Sequence, residues 1–337
     1  MIYEYYYSRL NPVEQKIYRK ILKELENLKA EIKINGYFDI DRFDAITDAV
    51  HWDHPELFHV DFHHYRRGVS QEGIELEPNY FYTSEVYKKK QEQMEKVIEK
   101  LMQMAVKENL SNDLKKCRWI HDRLVRNIVY GGKHVPNSST ISDAHTIEGV
   151  FLHKRAVCEG ISKAFKLLSD RLGLQSIVAV GVAGMGDGGP HAWNISCLNG
   201  EFVQMDVTWD GNLSLACQHY RYDYFAITDL EIQSDHEYTE FLDYPICSTA
   251  KYSYFVQRNC LLSNPKQLEA FLDKEFRAKS TAIYFKIYGN IANKKKFSQK
   301  VIEMLYDFMC KYGMINVDFL DWSNQERMIF FYKQEKR

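Results

Sequence analysis

The sequence predicts an α+β protein in which a helix beginning at Cys158 packs on an antiparallel sheet. Three observations predict it. Apolar residues recur at helical spacing through the first half, three β-rich runs lie between Gln175 and Trp209, and strand and helix patterns alternate beyond Pro245. The 337 residues then divide into expected units at 1–108, 109–245 and 246–337: a mostly helical extension, a core, and a small α+β unit.

Asn11-Pro12 opens the first helix with an Asn cap, Pro in the first turn and Glu14 three residues after the cap. Val13, Ile17, Ile21, Leu25, Leu28 and Ile32 continue it at helical spacing, and Asn35-Gly36 ends it. A mixed segment follows to about residue 80. From Glu85 to about Glu108, Met94, Ile98, Leu101 and Ala105 form one stripe among Lys and Glu residues, the pattern of a long surface helix. A second helix runs from Ser111 to about Ile128 through Leu114, Cys117, Ile120 and Leu124. "YGGKHVPNSSTISD" is loop by composition and leads into a short helix ending near Lys154.

From Cys158 to Leu172, Ile161, Phe165, Leu168 and Leu172 share one face, and Gly173 stands where a C-terminal cap belongs. "QSIVAVGVA", "HAWNISCL" and "EFVQMDVTW" read as strands, the last two joined by Asn199-Gly200, a strong hairpin signal. In the last unit Tyr252–Arg258, Thr281–Tyr288, Ile315–Leu320 and Met328–Tyr332 read as strands, and Pro265–Phe276 and Phe297–Tyr312 as helices.

Composition excludes several functions. Hydrophobic residues at 45% and charged residues at 27% are ordinary for a soluble chain. A formal charge of -2 gives no basic field for nucleic acid or an anionic membrane, and "ANKKKFSQK" reads as a solvated loop or face. The start lacks the blocks of a signal peptide and no stretch approaches the roughly 18 apolar residues of a membrane span, so the chain as given reads as cytoplasmic. Seven scattered cysteines without a Cys-x-x-Cys argue against a disulfide framework and a zinc ribbon. "HWDHPELFHVDFHH" holds five histidines and two aspartates, but Pro55 interrupts it and no ligand spacing repeats, so neither metal nor cofactor is expected.

The chemistry gathers at Cys158. A thiol at a helix N-terminus, with Lys154 and Arg155 just before it, is placed to be a nucleophile; the other six cysteines read as small buried hydrophobes. Cysteine catalysis also needs a base and a group that orients it. If Asn199 and Gly200 are the loop residues, Leu198 pairs with Glu201, Trp193 faces Asp206 and His191 faces Thr208. His191, Trp193, Asp206 and Thr208 then project from one side of the sheet, with His191 and Asp206 diagonal neighbours roughly 7 Å apart at Cβ.

"RAVCEGISKAFKLLSDRLGL", "PHAWNISCLNGEFVQMDVTWD" and "YDYFAITDLEIQSDH", in that order, resemble the core of the transglutaminase-like superfamily over roughly residues 110 to 240. The resemblance implies a papain-like, transglutaminase-like core with Cys158 as nucleophile, His191 as base and Asp206 orienting it. "IHDRLVRNIVY" is similar to the family's helix upstream of the nucleophile; Tyr130 at its end, Trp193 and Trp209 are the oxyanion or substrate-pocket candidates. "NPVEQKIYRKILKEL" and "HPELF" resemble the N-terminal extension of bacterial members. Peptide N-glycanases are set aside for want of zinc-binding Cys pairs. Arylamine N-acetyltransferases are set aside because Arg-Ala-Val, not Arg-Gly-Gly, precedes the cysteine.

The implied function is thiol-dependent acyl transfer on a protein or peptide substrate, first as a cysteine peptidase-like hydrolase. The alternatives are a protein-glutamine transglutaminase or deamidase, and a non-catalytic binding module. The acceptor that attacks the thioester decides among the enzymes, and a triad does not specify it.

Overall fold

Asn11 accepts the amide protons of Val13 and Glu14, and Glu14 returns a carboxylate to the Asn11 N–H, a capping box that starts the first long helix where the sequence places it. The computed structural model describes residues 2–36, 38–131, 143–184, 188–217, 219–239, 243–280, 282–287, 294–313, 317–322 and 328–333. The N-terminal elements are α1 (Tyr5–Ser8), α2 (Pro12–Glu26), β1 (Ile32–Asn35), α3 (Ile40–Asp53), β2 (Val60–Ser70), β3 (Gly73–Tyr80) and α4 (Ser84–Lys107).

One expectation changes here. The first helix stops at Glu26, because Leu28 turns the chain at φ 50° and Ile32–Asn35 pairs with β3 instead. Beside its helices the extension thus carries a sheet: β1, β3 and β2 make a three-stranded antiparallel sheet in that order.

α5 (Asp113–Asn127) and β4 (Val129–Tyr130) follow, and β4 pairs in parallel with β5 (Arg155–Ala156) just ahead of α6 (Cys158–Arg171). The loop expected after Tyr130 falls mostly on residues 132–142, outside the described residues. The short helix expected before Lys154 is one 3-10 turn at Asp143–His145 and one π turn at Gly149–His153. Gly173 takes φ 70° behind α6, a backbone conformation that suits glycine at a helix end.

The core sheet holds β6 (Ser176–Ala183), β7 (Gly189–Leu198), β8 (Glu201–Met205), β9 (Phe225–Ile227) and β10 (His236–Tyr238) in the antiparallel order β10-β6-β7-β8-β9. α7 (Val207–Cys217) and α8 (Asp229–Ile232) lie between its later strands. The hairpin register runs from Leu198↔Glu201 to Asn194↔Met205, the pairing that an Asn-Gly turn dictates; Asn199 and Gly200 both have positive φ.

The third run is the main correction. It leaves the sheet after Met205, since Asp206 Oδ1 accepts the Trp209 N–H at 3.0 Å and starts α7 as a cap. Thr208 is thus carried into a helix and does not face His191 in the ladder.

In the last unit Tyr252–Arg258 is not a strand: Ser253 caps the short helix α9 (Tyr254–Gln257) by accepting the Val256 N–H. β11 (Leu261–Leu262), α10 (Pro265–Arg277), β12 (Ala282–Ile287), α11 (Lys294–Lys311), β13 (Val317–Trp322) and β14 (Met328–Lys333) complete it, with strand order β11-β12-β14-β13.

Two apolar clusters hold these parts together, and both cross the boundaries expected at 108 and 245. Tyr18, Phe43 and Ile74 pack with Ile177, Trp193 and Ile195 of the core sheet. Met94 and Ile120 pack with Phe165 and Met205, and these with Leu272 and Phe285. α6 is pinned inside this core. Ser162 donates to the Ala192 carbonyl at 2.9 Å, and Asn194 donates to the Ser162 and Ile177 carbonyls at 3.0 and 3.2 Å. Gly160 permits the approach of the chain before it: a Cβ there would stand 2.4 Å from the Ala144 carbonyl oxygen.

Candidate active site

Cys158 is the first residue of α6, so its N–H lies outside the helix's own hydrogen-bond ladder and its thiol meets the positive end of the helix dipole. It is half-buried. The other cysteines are different: burial raises the thiols of Cys117, Cys197 and Cys247, and that of Cys260 to about 12. Cys310 is exposed, and the Cys217 side chain lies outside the described residues.

His191 on β7 interacts electrostatically with Cys158 on one side and, through Nε2, meets Asp206 Oδ2 at 2.7 Å on the other. The structure thus brings the three expected residues together. Burial opposes charge on His191, but the Asp206 carboxylate outweighs it and lifts the imidazole to about 10. Asp206 is buried, yet the charge of His191 and its bonds with His191 and His236 hold it well below the usual carboxylate range.

The three pocket candidates separate. Tyr130 is 40% exposed, and burial followed by the nearby Cys158 and Asp206 raises its phenol to about 12. Its strand pairs Tyr130 with Ala156, two residues before Cys158. Trp193 is sealed in the core: it stacks on His191 and commits its indole N–H to Gln204 at 2.9 Å, so it braces the imidazole rather than lining a pocket. Trp209 is half-buried and tilts against both His191 and His236.

His236 had no assigned role in the sequence. Its Nε2 reaches Asp206 Oδ2 at 3.0 Å and its Nδ1 reaches Asp235 Oδ1 at 2.6 Å, while Tyr224 donates to Asp235 Oδ2 at 2.7 Å. Burial opposes its protonation, but bonds to two carboxylates raise its pKa above the ordinary histidine value. In its protonated form it tempers the pull of Asp206 on His191. Removing it in His236→Gln is expected to move the His191 titration upward in 15N NMR of the histidine rings. An unchanged or lower midpoint overturns this positioning role.

The second feature missing from the sequence reading surrounds Glu159. This buried carboxylate takes Lys163 on Oε1 at 2.7 Å and His63 and His145 on Oε2 at 3.1 and 3.0 Å; Lys163 also reaches His51 Nε2 at 2.5 Å. Lys163 and the histidines overcome burial and hold Glu159 well below its usual range, while burial and then Lys163 push His51 down to about 3. Of the remaining histidines in the rich segment, His54 pairs with Glu56 and Glu4, His59 with the Leu25 carbonyl and His64 with Asp61.

Two of these groups, His51, His63 and Glu159, and His191, Asp206 and His236, have the spacing to hold a metal ion. Lys163 already supplies the cation of the first, and hydrogen bonds join the members of the second.

Fold and site together define a mixed helix and sheet protein in which a helix-borne cysteine meets a histidine of an antiparallel sheet. Residues 102–207 match the family model of the transglutaminase-like superfamily. The chain is similar to the crystal structure of a TGase, with 17% identity and a TM-score of 0.31 over 53% of this chain and 50% of that one. It is also similar to a candidate cysteine protease from Cytophaga hutchinsonii, with 21% identity and a TM-score of 0.26 over 33% of this chain and 37% of that one. The chain thus spans about half the length of the first and about a third of the second. No curated relative matches it. Among the described residues, no helix is long and apolar enough to cross a membrane.

Proposed function

We propose that this protein is a thiol-dependent acyl-transfer enzyme acting on peptide or amide bonds, and foremost a cysteine peptidase-like hydrolase. The grouping of Cys158, His191 and Asp206 carries this reading, because it joins a half-buried thiol at a helix N-terminus to a base and to the base's orienting carboxylate. Cys158 Sγ attacks the carbonyl carbon while its proton rests on His191. The Cys158 N–H and the Tyr130 hydroxyl are the candidate donors to the resulting oxyanion.

Collapse of that intermediate expels the amine, which takes the proton from His191, and leaves a thioester. Water then attacks the thioester with His191 as base, and the thiol is restored. Asp206 keeps the imidazole in the orientation that presents its second nitrogen to sulfur.

The reaction is read directly by incubating the protein with a peptide library and a labelled primary amine, with Cys158→Ala as control, and analysing products by mass spectrometry. Cleaved peptides are expected. Amine incorporation would instead make it a transglutaminase, and a gain of about one mass unit at glutamine a deamidase. No product dependent on Cys158 would favour the binding module.

A further inference from the structure

Beside the triad, between the end of α5, β4 and the outer face of α7, lies a cavity of about 360 Å³. Its walls include Tyr130, Ile161, Val207, Thr208, Gly211 and Leu215. Cys158, His191 and Asp206 do not line it, but their neighbours do: Tyr130 senses the charge of Cys158 and Asp206, Ile161 is one helical turn after Cys158, and Val207 and Thr208 directly follow Asp206.

The rim is open and mixed: Val129 is 52% exposed and Leu215 68%, uncovered aliphatic surface set among the exposed Arg126, Asn127 and Asn212. No carboxylate lines the cavity among the described residues, so a cationic side chain would find no counter-charge. Its one arginine, Arg126, stacks on the Tyr220 ring 4.5 Å away at the rim. Thr208 Oγ1 is buried in the wall with no hydrogen-bond partner among the described residues, and a buried hydroxyl normally has one.

We propose that this cavity is the side-chain pocket for the acyl part of the substrate, and that it takes a bulky apolar residue of the leucine or phenylalanine kind. The proposal rests on the acyl-transfer reading of Cys158. A side chain of that size removes both itself and the exposed aliphatic part of the rim from water when it enters.

The test uses dipeptidyl chloromethyl ketones in which either residue is glycine, aspartate, lysine, leucine or phenylalanine. The Cys158 thiolate displaces chloride and forms a thioether, so labelling is counted by mass whatever the natural acceptor is. Leucine and phenylalanine probes are expected to react about 10- to 200-fold faster than the glycine probe. Equal rates, or preference for lysine or aspartate, would overturn the pocket.

Iodoacetamide, which needs no pocket, separates the two readings. If it alkylates Cys158 no faster than a free thiol, the nucleophile reading has failed; if it reacts fast while the ketones show no preference, only the pocket has failed.

Gly211→Leu gives a second handle. A Cβ at Gly211 meets nothing within 4 Å, and leucine suits a helix better than glycine, so the variant fills the cavity without straining α7. The phenylalanine-to-glycine rate ratio is expected to fall toward one. Leu215→Asp, at the exposed rim, should lower the same ratio, and a ratio unchanged in both variants rejects the assignment.

Discussion

Asp206→Asn is expected to slow Cys158-dependent turnover by roughly three to four orders of magnitude while leaving the protein folded. Asparagine caps a helix about as well as aspartate, so its side-chain oxygen can still accept the Trp209 N–H and α7 should keep its start. What goes is the charge that lifts His191 to about 10 and the acceptor that fixes its ring. The measurement is the turnover of the variant on whichever substrate the peptide screen yields. A loss below tenfold would show that Asp206 does not orient the base.

The same pair sets a stability signature. His191 gains a folded pKa of about 10 over its ordinary 6.5, so its contribution is full below 6.5 and is lost as pH rises through 10. Asp206 is depressed from 3.8, so its contribution is present above that value and is lost as pH falls below it. The urea midpoint of the wild type should therefore exceed that of Asp206→Asn most between about pH 4 and 6.5, with the gap closing toward pH 10 and in strong acid.

Glu159→Ala should cost about 3–5 kcal/mol of stability, read from urea unfolding, because it leaves the buried Lys163 ammonium without its counter-charge. His63 and His145 lose their acceptor at the same stroke. Replacing both members, as in Glu159→Leu with Lys163→Met, should recover much of the loss, since the desolvation of two charges disappears with their attraction. If the single variant is as stable as the wild type, the network does not hold α3 and β2 to α6. Cys158 adjoins Glu159, so the rate of Cys158 alkylation in the single variant also reports whether that brace positions the nucleophile.

How much was legible depended on the distance along the chain between partners. The hairpin was readable because Asn199-Gly200 demands positive φ at two residues, and that choice fixes every pair from Leu198↔Glu201 to Asn194↔Met205. His191 and Asp206 follow from it as neighbours. The reading failed one residue later, where Asp206 turned out to cap a helix; the alternation of apolar residues had carried the strand through Trp209. The same over-extension lengthened α2 to Ile32, since apolar spacing does not reveal that a strand partner 40 residues away competes for the segment.

His236 marks the limit. It reaches Asp206 because β10 pairs with β6 through His236↔Ala183, a contact spanning about 50 residues with no short turn to announce it. Glu159 draws His51 and His63 from about a hundred residues away, so a glutamate in the first turn of a helix looked like a partner of the dipole alone.

The hairpin register and the neighbourhood of His191 and Asp206 were thus written in local chemistry: turn residues and side-chain alternation act over a few residues, where sequence order and spatial order coincide. The meeting of Cys158 with His191, the His236 ring behind Asp206, the buried network around Glu159 and the cavity against α7 arise where separate elements pack, and their energies come from desolvation and charge that exist only once those elements meet.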